Sequence, residues 1–229
     1  MATVLLVRHG RTTANATGLL AGRTAGVRLD DVGCAQAALT AGRLAAVPLV
    51  AVVSSPLERC QQTAQYILDR QAGTPYAPVD HGLTECDYGQ WQGRTLAELA
   101  TEDLWPKVQT QPSAVVFPEG ESMAEMQARS VAAIRRRDAA FEAEHGPEAV
   151  WAAVSHGDII KSILADALGM HLDLFQRITV GPASVSIVRY SADRPNVYAI
   201  NTEAGDLSWL SKGIKSGDAP VGGGAGHRA

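Results

Sequence analysis

The stretch Thr3-Val4-Leu5-Leu6-Val7, running directly into Arg8-His9-Gly10, decides the fold. It is a continuous apolar run rich in β-branched residues, with no alternation. It therefore reads as a strand buried on both faces, which favours a parallel sheet. A Gly- and Thr-rich loop follows, from Gly10 to about Asp30. Asp31 to Ala46 is alanine-rich and reads as a helix, stopped by Pro48. Leu49 to Val53 is a second buried strand. Ser54-Ser55-Pro56 then offers a serine N-cap and a proline at the first helical position, for a helix reaching about Arg70. Tyr76 to Val79 reads as a short strand, residues 81 to 94 as an irregular loop, and Thr95 to Ala100 as a short helix. Ser122 and Glu125 form a capping box. It opens a long helix with Met123, Met126, Ser130, Ile134, Ala140 and Phe141 along its core-facing side. Ala149 to Val154 is the next strand, and Asp158 to Leu168 a helix with Gly169 as C-cap. Ser184 to Tyr190 and Val197 to Asn201 complete six strands. Strands alternating with helices imply one α/β domain with a mainly parallel sheet, placed at residues 1–210. The Gly-rich residues 211–229 are expected to form a mobile tail.

Composition narrows the function classes. The 229 residues are 46% hydrophobic and 19% charged, enough apolar material for a sizeable core. The formal net charge is −4, which argues against a general nucleic-acid or membrane-surface binder. The longest apolar run, Leu44 to Val53, contains Pro48 and is far short of the roughly 20 residues a bilayer span requires. No basic n-region or cleavage site opens the chain, so no secretory signal is expected. The three cysteines, Cys34, Cys60 and Cys86, lack metal-binding spacing and fit free thiols in the cytoplasm. Residues 1–29 hold Arg8, Arg11, Arg23 and Arg28 and no acid. Either they form a pocket for an anionic small molecule, or their partners lie elsewhere in the chain.

The polar residues choose where chemistry would occur. Four strands run into polar clusters: Arg8-His9-Gly10, Ser54-Ser55 with Arg59 one turn later, Leu83-Thr84-Glu85, and Ser155-His156-Gly157. Open α/β sheets bind ligands beyond the carboxyl ends of their strands, so these clusters can converge. Gly10 permits the strand to break so that Arg8 and His9 share a site. Arginine forks match phosphate oxygens in pairs, and two arginines with histidine suit a phosphoryl group. A neutral histidine can be a nucleophile, and nearby arginines keep it neutral. A carboxyl group can protonate the departing oxygen. A zinc site is the rival use of His9, Glu85 and His156. Two arginines would repel a divalent cation, so no metal is expected.

These residues resemble a known family. Leu6 to Asn15 (LVRHGRTTAN), Ser54 to Ala64 (SSPLERCQQTA), Leu83 to Gly93 (LTECDYGQWQG), Pro118 to Ser122 (PEGES) and Val154 to Gly157 (VSHG) are similar, in order and spacing, to the histidine phosphatase superfamily. The branch is that of cofactor-dependent phosphoglycerate mutases and related phosphatases. The resemblance implies a three-layer α/β sandwich with a mixed, mostly parallel six-stranded sheet flanked by helices and one antiparallel strand. It implies that His9 is the nucleophile and carries a transient phosphohistidine. Arg8, Arg59 and His156 would clamp the phosphoryl oxygens, assisted by Asn15 and the Gly157 N–H. Glu85 would be the general acid, and the family uses no metal or other cofactor. Ala21, Gly22 and Arg23 belong to a loop that borders the substrate, with Arg23 expected to touch it beyond the phosphate. Arg11 stands where relatives usually have Glu or Gln, either adding charge at the pocket mouth or facing solvent.

The expected activity is a phosphomonoester hydrolase on a small phosphorylated metabolite. A phosphomutase is the alternative. Mutases of the branch carry a charge-rich insertion after the acid segment, whereas residues 92–120 hold only Arg94 and Lys107 as cations. A non-catalytic phospho-ligand binding module is disfavoured because nucleophile and acid are both present. No nucleic-acid or membrane partner is expected, and a homodimer remains an option. The Arg135-Arg136-Arg137 run reads as a solvated face rather than a nucleic-acid patch, because its helix also carries acids.

Overall fold

The computed structural model describes residues 2–191, 193–205, 221, 222 and 224. In chain order the elements are β1 (Thr3–Arg8), α1 (Thr13–Thr17), α2 (Asp31–Leu44), β2 (Ala51–Ser54), α3 (Glu58–Leu68), α4 (Leu96–Leu99), α5 (Trp105–Thr110), α6 (Met123–His145), β3 (Val150–Ser155), α7 (Gly157–Ala167), β4 (Val185–Tyr190) and β5 (Pro195–Thr202). Short 3-10 turns, His81–Leu83 and Gly89–Trp91, flank the Glu85 segment. The sheet order is β2-β3-β1-β4-β5. β2, β3 and β1 pair in parallel, while β4 runs antiparallel to both β1 and β5.

The uninterrupted apolar character of β1 has a direct cause. Val4 and Leu6 join a core that includes Trp151, Ala153, Met126, Ile134, Ile160 and Ile163. Leu5 and Val7 join a second core with Ala152, Val154, Ala41, Leu44 and Ile67. Alternate residues thus face opposite helical layers, α6 and α7 on one side and α2 and α3 on the other, and neither face meets water.

Caps fix where the helices begin. Asp30 accepts the Gly33 N–H at 2.7 Å to open α2. Ser122 accepts from Glu125 N–H at 3.1 Å and donates its own N–H to Glu125 Oε2 at 3.0 Å, the reciprocal pair expected from the sequence. Met123, Met126, Ser130, Ile134 and Phe141 of α6 are buried, whereas Ala140 is exposed because the core-facing stripe passes through Asp138 and Phe141 instead. The arginine run pairs outward: Arg135 with Asp166 at 2.7 Å, and Arg136 and Arg137 with Asp80 at 2.9 and 2.8 Å.

Three local expectations are corrected. The sheet has five strands rather than six, since Tyr76 and Val79 make only isolated parallel bridges to Ala51 and Ser54. The intervening Pro78 has no N–H to sustain a ladder. Helix α3 begins at Glu58 with Leu57 as its N-cap and no side-chain cap bond. Ser55 is diverted to another partner, described below. Helix α7 ends one residue earlier than its expected cap, with Leu168 as C-cap and Gly169 following in the left-handed region at φ 66°. Among the described residues no helix is long and apolar enough to cross a membrane.

Gly10 is needed for close approach rather than for an unusual φ. A Cβ there would strike the Gly33 carbonyl of α2, and a Cβ on Gly33 would strike the Arg11 carbonyl. The loop after β1 therefore lies directly against α2. Gly42, in the same helix, is exposed and has open space around it. Substituting Gly33 with Ala should cost roughly 1–3 kcal/mol through backbone displacement. Gly42→Ala should stabilise by roughly 0.5–1 kcal/mol by restricting the unfolded chain. Urea unfolding of the two variants checks the opposite signs.

Candidate active site

Parallel pairing brings the strand ends together. Arg8 of β1 lies in register with Ser155 of β3, so His9 and His156 leave the sheet side by side. Their rings stand edge to face, 5.3 Å between centroids and 62° between planes. His9 N–H donates to the Ser155 carbonyl at 3.0 Å, tying the two ends directly. Helix α3 is drawn in by Thr63, whose Oγ1 accepts from Gly10 N–H at 3.1 Å and donates to the Arg59 carbonyl at 2.8 Å. Ser155 Oγ donates to the Leu83 carbonyl at 2.8 Å, which attaches the Glu85 segment.

Arg8, His9, Arg59, Glu85 and His156 are all at most 3% exposed. A cleft opens over His9, Arg59 and Glu85, lined also by Asn15, Ala21 and Gly22, with Leu19, Leu20, Leu96 and Val221 as apolar walls, while Arg8 and His156 lie outside its lining.

The hydrogen bonds define which atoms are available. His9 Nδ1 lies 2.7 Å from the Gly10 carbonyl. A carbonyl only accepts, so Nδ1 carries the proton and the lone pair sits on Nε2. Burial, then the charges of Arg59 and Arg8, hold His9 well below its ordinary pKa, which keeps the ring neutral. His156 is lowered in the same way by burial, Arg59, His9 and Arg8. Its Nε2 is 2.8 Å from Ser55 Oγ, and its Nδ1 is 4.0 Å from Glu85 Oε2. Cys60 Sγ packs 3.4 Å from the same Nε2, and burial raises its thiol to about 12. Burial also pushes the Cys86 thiol well above its ordinary value, with the Glu121 and Glu85 charges adding to the shift.

The two arginines are held differently. Arg8 donates to the Val180 carbonyl at 2.9 Å and the Gly224 carbonyl at 2.8 Å, and burial lowers its pKa to about 10. Arg59 Nη2 donates to the Gly22 carbonyl at 2.7 Å, while its buried Nη1 has no acceptor among the described residues. A buried cationic donor left without an acceptor costs at least about 1–3 kcal/mol, and an anion in the cleft would remove that penalty.

Glu85 is the carboxyl group that lines the cleft. Its Oε1 accepts the Cys86 N–H at 2.9 Å. Burial and then the nearby Asp158 charge raise its pKa to about 7, partly offset by that N–H and by Arg59 and Arg8. Asp158 Oδ2 accepts from Tyr88 Oη at 2.8 Å and from Gly222 N–H at 2.9 Å.

Among the other expected residues, Asn15 commits its Oδ1 to Thr12 N–H and Oγ1 in the α1 capping box, leaving its NH2 group for a ligand. Gly157 is the first residue of α7, at the electropositive end of that helix. Arg23 is not among the residues that line the cleft. Its Nε donates to the Glu85 carbonyl at 2.9 Å, and its Nη groups reach Asp87 at 3.4 Å and Glu121 at 3.0 Å. Arg11 pairs with Asp30 at 2.8 Å. Both arginines thus have partners elsewhere in the chain.

Sequence reasoning placed Ser55 in a strand-end cluster but assigned no role at the site to Thr63, Asp158, Glu121 or Arg129. It also missed the packing of Val221, Gly222 and Gly224 at the cleft, in a stretch expected to be mobile. The remainder of that expectation lies outside the described residues. Titration of His9 and His156 by NMR should show both rings neutral at pH 6.5, and Arg59→Gln should raise both pKa values by removing a positive neighbour.

Comparisons with known proteins place the fold and the family. The chain is 34% identical over 209 residues to bifunctional protein Rv2228c of Mycobacterium tuberculosis, covering 89% of this chain but only 54% of that protein. The chain therefore spans about half the length of the mycobacterial relatives it matches. It is 33% identical over 192 residues to "Probable phosphoglycerate mutase GpmB" of Yersinia pestis, covering 83% and 86% of the two chains. Bacillus stearothermophilus YhfR superposes with a TM-score of 0.79 at 24% identity, over 90% of this chain and 98% of that one. The vanadate-bound mycobacterial glucosyl-3-phosphoglycerate phosphatase gives 0.78 at 24% identity, over 88% and 99%. These two likenesses establish the phosphoglycerate mutase-like fold. The sequence profile of the histidine phosphatase superfamily (branch 1) matches residues 4–203, and the chain belongs to that family.

Proposed function

We propose that the protein is a metal-independent phosphomonoester hydrolase acting through a phosphohistidine on a small phosphorylated metabolite. One observation carries this reading: a neutral His9 with its lone pair on Nε2 shares a cleft with Arg59, whose buried Nη1 lacks an acceptor. That pairing suits a nucleophile beside a phosphoryl oxygen.

In the first step His9 Nε2 attacks phosphorus and the ester P–O bond breaks. The leaving oxygen takes the Glu85 carboxyl proton, giving an alcohol and phosphohistidine. In the second step water attacks phosphorus, Glu85 carboxylate accepts its proton, and the P–N bond breaks to release inorganic phosphate and neutral His9. A carboxyl poised near pH 7 suits both duties. Arg8, Arg59 and His156 hold the equatorial oxygens, with Asn15 and the Gly157 N–H assisting.

The cleft walls favour hydrolysis over mutase chemistry. A mutase must hold a second phosphoryl group on the same ligand. Beyond Arg59, the described lining holds no further arginine or lysine, and Arg11 and Arg23 are ion-paired. The mutase reading draws on the Yersinia relatives, whose printed name is that of a phosphoglycerate mutase. Product analysis with 3-phosphoglycerate, with and without 2,3-bisphosphoglycerate, separates the two. Release of phosphate supports hydrolysis, and rapid isomerisation without release reverses the assignment.

His9→Ala should abolish turnover without unfolding the protein. Alanine at Arg8, Arg59 or His156 should each cost about 3–4 kcal/mol of transition-state stabilisation, measured as kcat/KM. Glu85 must be protonated for the first step, and its raised pKa keeps it so below about 7. The kcat/KM profile should therefore fall as pH rises through that value, and the limb should vanish in Glu85→Gln. Activity should survive EDTA.

A further inference from the structure

The segment that carries Glu85 lies between two 3-10 turns and belongs to no strand, so its carbonyls need donors from elsewhere. Arg129, in the second turn of α6, supplies several. Its Nη1 donates to the Gly82 carbonyl at 3.0 Å and the Thr84 carbonyl at 2.7 Å, and its Nη2 to the Glu85 carbonyl at 3.1 Å. The guanidinium is held in turn by Glu121, with Nε on Oε2 at 2.9 Å and Nη2 on Oε1 at 2.5 Å. Glu121 Oε1 also accepts the Asp87 N–H at 2.9 Å and Arg23 Nη2 at 3.0 Å. Arg23 Nε meets the same Glu85 carbonyl. One carboxylate and two guanidiniums therefore bracket residues 82–87 by their main chain. Glu85 presents its carboxyl to the cleft, whose described lining includes neither Arg129 nor Glu121.

We propose that Arg129, fixed by Glu121, is a positioning residue that sets where the Glu85 carboxyl stands relative to the leaving-group oxygen. The inference rests on the reading of Glu85 as proton donor. A planar fork is what the geometry requires. Two of its nitrogens reach three successive or near-successive carbonyls while its third edge meets a carboxylate, which a lysine ammonium cannot reproduce. Proton transfer demands hydrogen-bond reach, so a shift of about 1 Å in this segment weakens the acid without touching phosphate binding.

The test compares kcat/KM, which reports the reaction only as far as phosphohistidine formation, for p-nitrophenyl phosphate, whose leaving group needs no proton, and a simple alkyl phosphate, whose leaving group does. The proteins are wild type, Glu85→Gln, Arg129→Gln, Glu121→Gln and the Glu85→Gln/Arg129→Gln double variant, with circular dichroism melting to verify folding. Arg129→Gln should lose about 10- to 100-fold more kcat/KM on the alkyl ester than on the nitrophenyl ester. Glu121→Gln should show the same pattern at smaller size. The double variant should be no worse on the alkyl ester than Glu85→Gln, within about threefold. Equal losses on both esters, or losses that multiply with Glu85→Gln, overturn the inference. Should Arg129→Gln not fold, Glu121→Gln and Arg129→Lys carry the same comparison. If Glu85→Gln itself shows no leaving-group dependence, the proton-donor assignment fails and the inference with it. That result is distinct from an intact Glu85 dependence combined with indifferent Arg129 and Glu121 variants, which overturns the inference alone.

Discussion

The parallel register between β1 and β3 is the constraint on which everything else depends. Because Arg8 sits opposite Ser155, the next residues, His9 and His156, emerge at one level and touch. A slip of one residue would turn every side chain of β1 to the other face. Val4 and Leu6 would then exchange cores with Leu5 and Val7, and the strand would lose its fit to both helical layers. Hydrophobic patterning thus fixes the register, and the register fixes the distance between the two imidazoles. The apolar interior and the polar cleft are specified by the same pairing.

That cleft is assembled against its own electrostatic cost. Two guanidiniums and two imidazoles are buried together, and burial opposes the charge on Arg8 and on both imidazoles. The imidazoles respond by staying neutral. Arg8 keeps carbonyl partners, whereas Arg59 Nη1 keeps no acceptor among the described residues. An anion entering the cleft would restore the missing partner, and the donor already stands in place for it. The raised pKa of Glu85 has the same origin, since the interior that disfavours cations also disfavours a second carboxylate near Asp158.

The five true strands, and the convergence of the residues that follow β1, β2 and β3, were legible because periodicity and strand-end chemistry are local signals. The Tyr76–Val79 segment misled because β-branched and aromatic content suggests a strand, while ladder formation depends on the N–H that Pro78 lacks. Ser55 misled for a related reason. Its position before Pro56 fits a helix cap, yet its hydroxyl serves His156, more than a hundred positions away. Arg23 looked available because its acidic partners, Asp87 and Glu121, are distant in sequence. Arg129 carried no signal, since a mid-helix arginine that cradles carbonyls reads like one facing solvent. What was hidden is side-chain pairing over long separations, which a single chain does not display.

The thiols lead to a different consequence. Cys60 lies against His156 and Cys86 follows Glu85, both buried and with pKa values raised far from reactivity, whereas Cys34 is partly exposed. Alkylating reagents act on thiolates, so the native state offers them Cys34 first. Modification of the other two requires the walls around the imidazole and the carboxyl to open. Their labelling rate is therefore a built-in clock for local opening at the heart of the molecule, readable by mass spectrometry without any engineered probe.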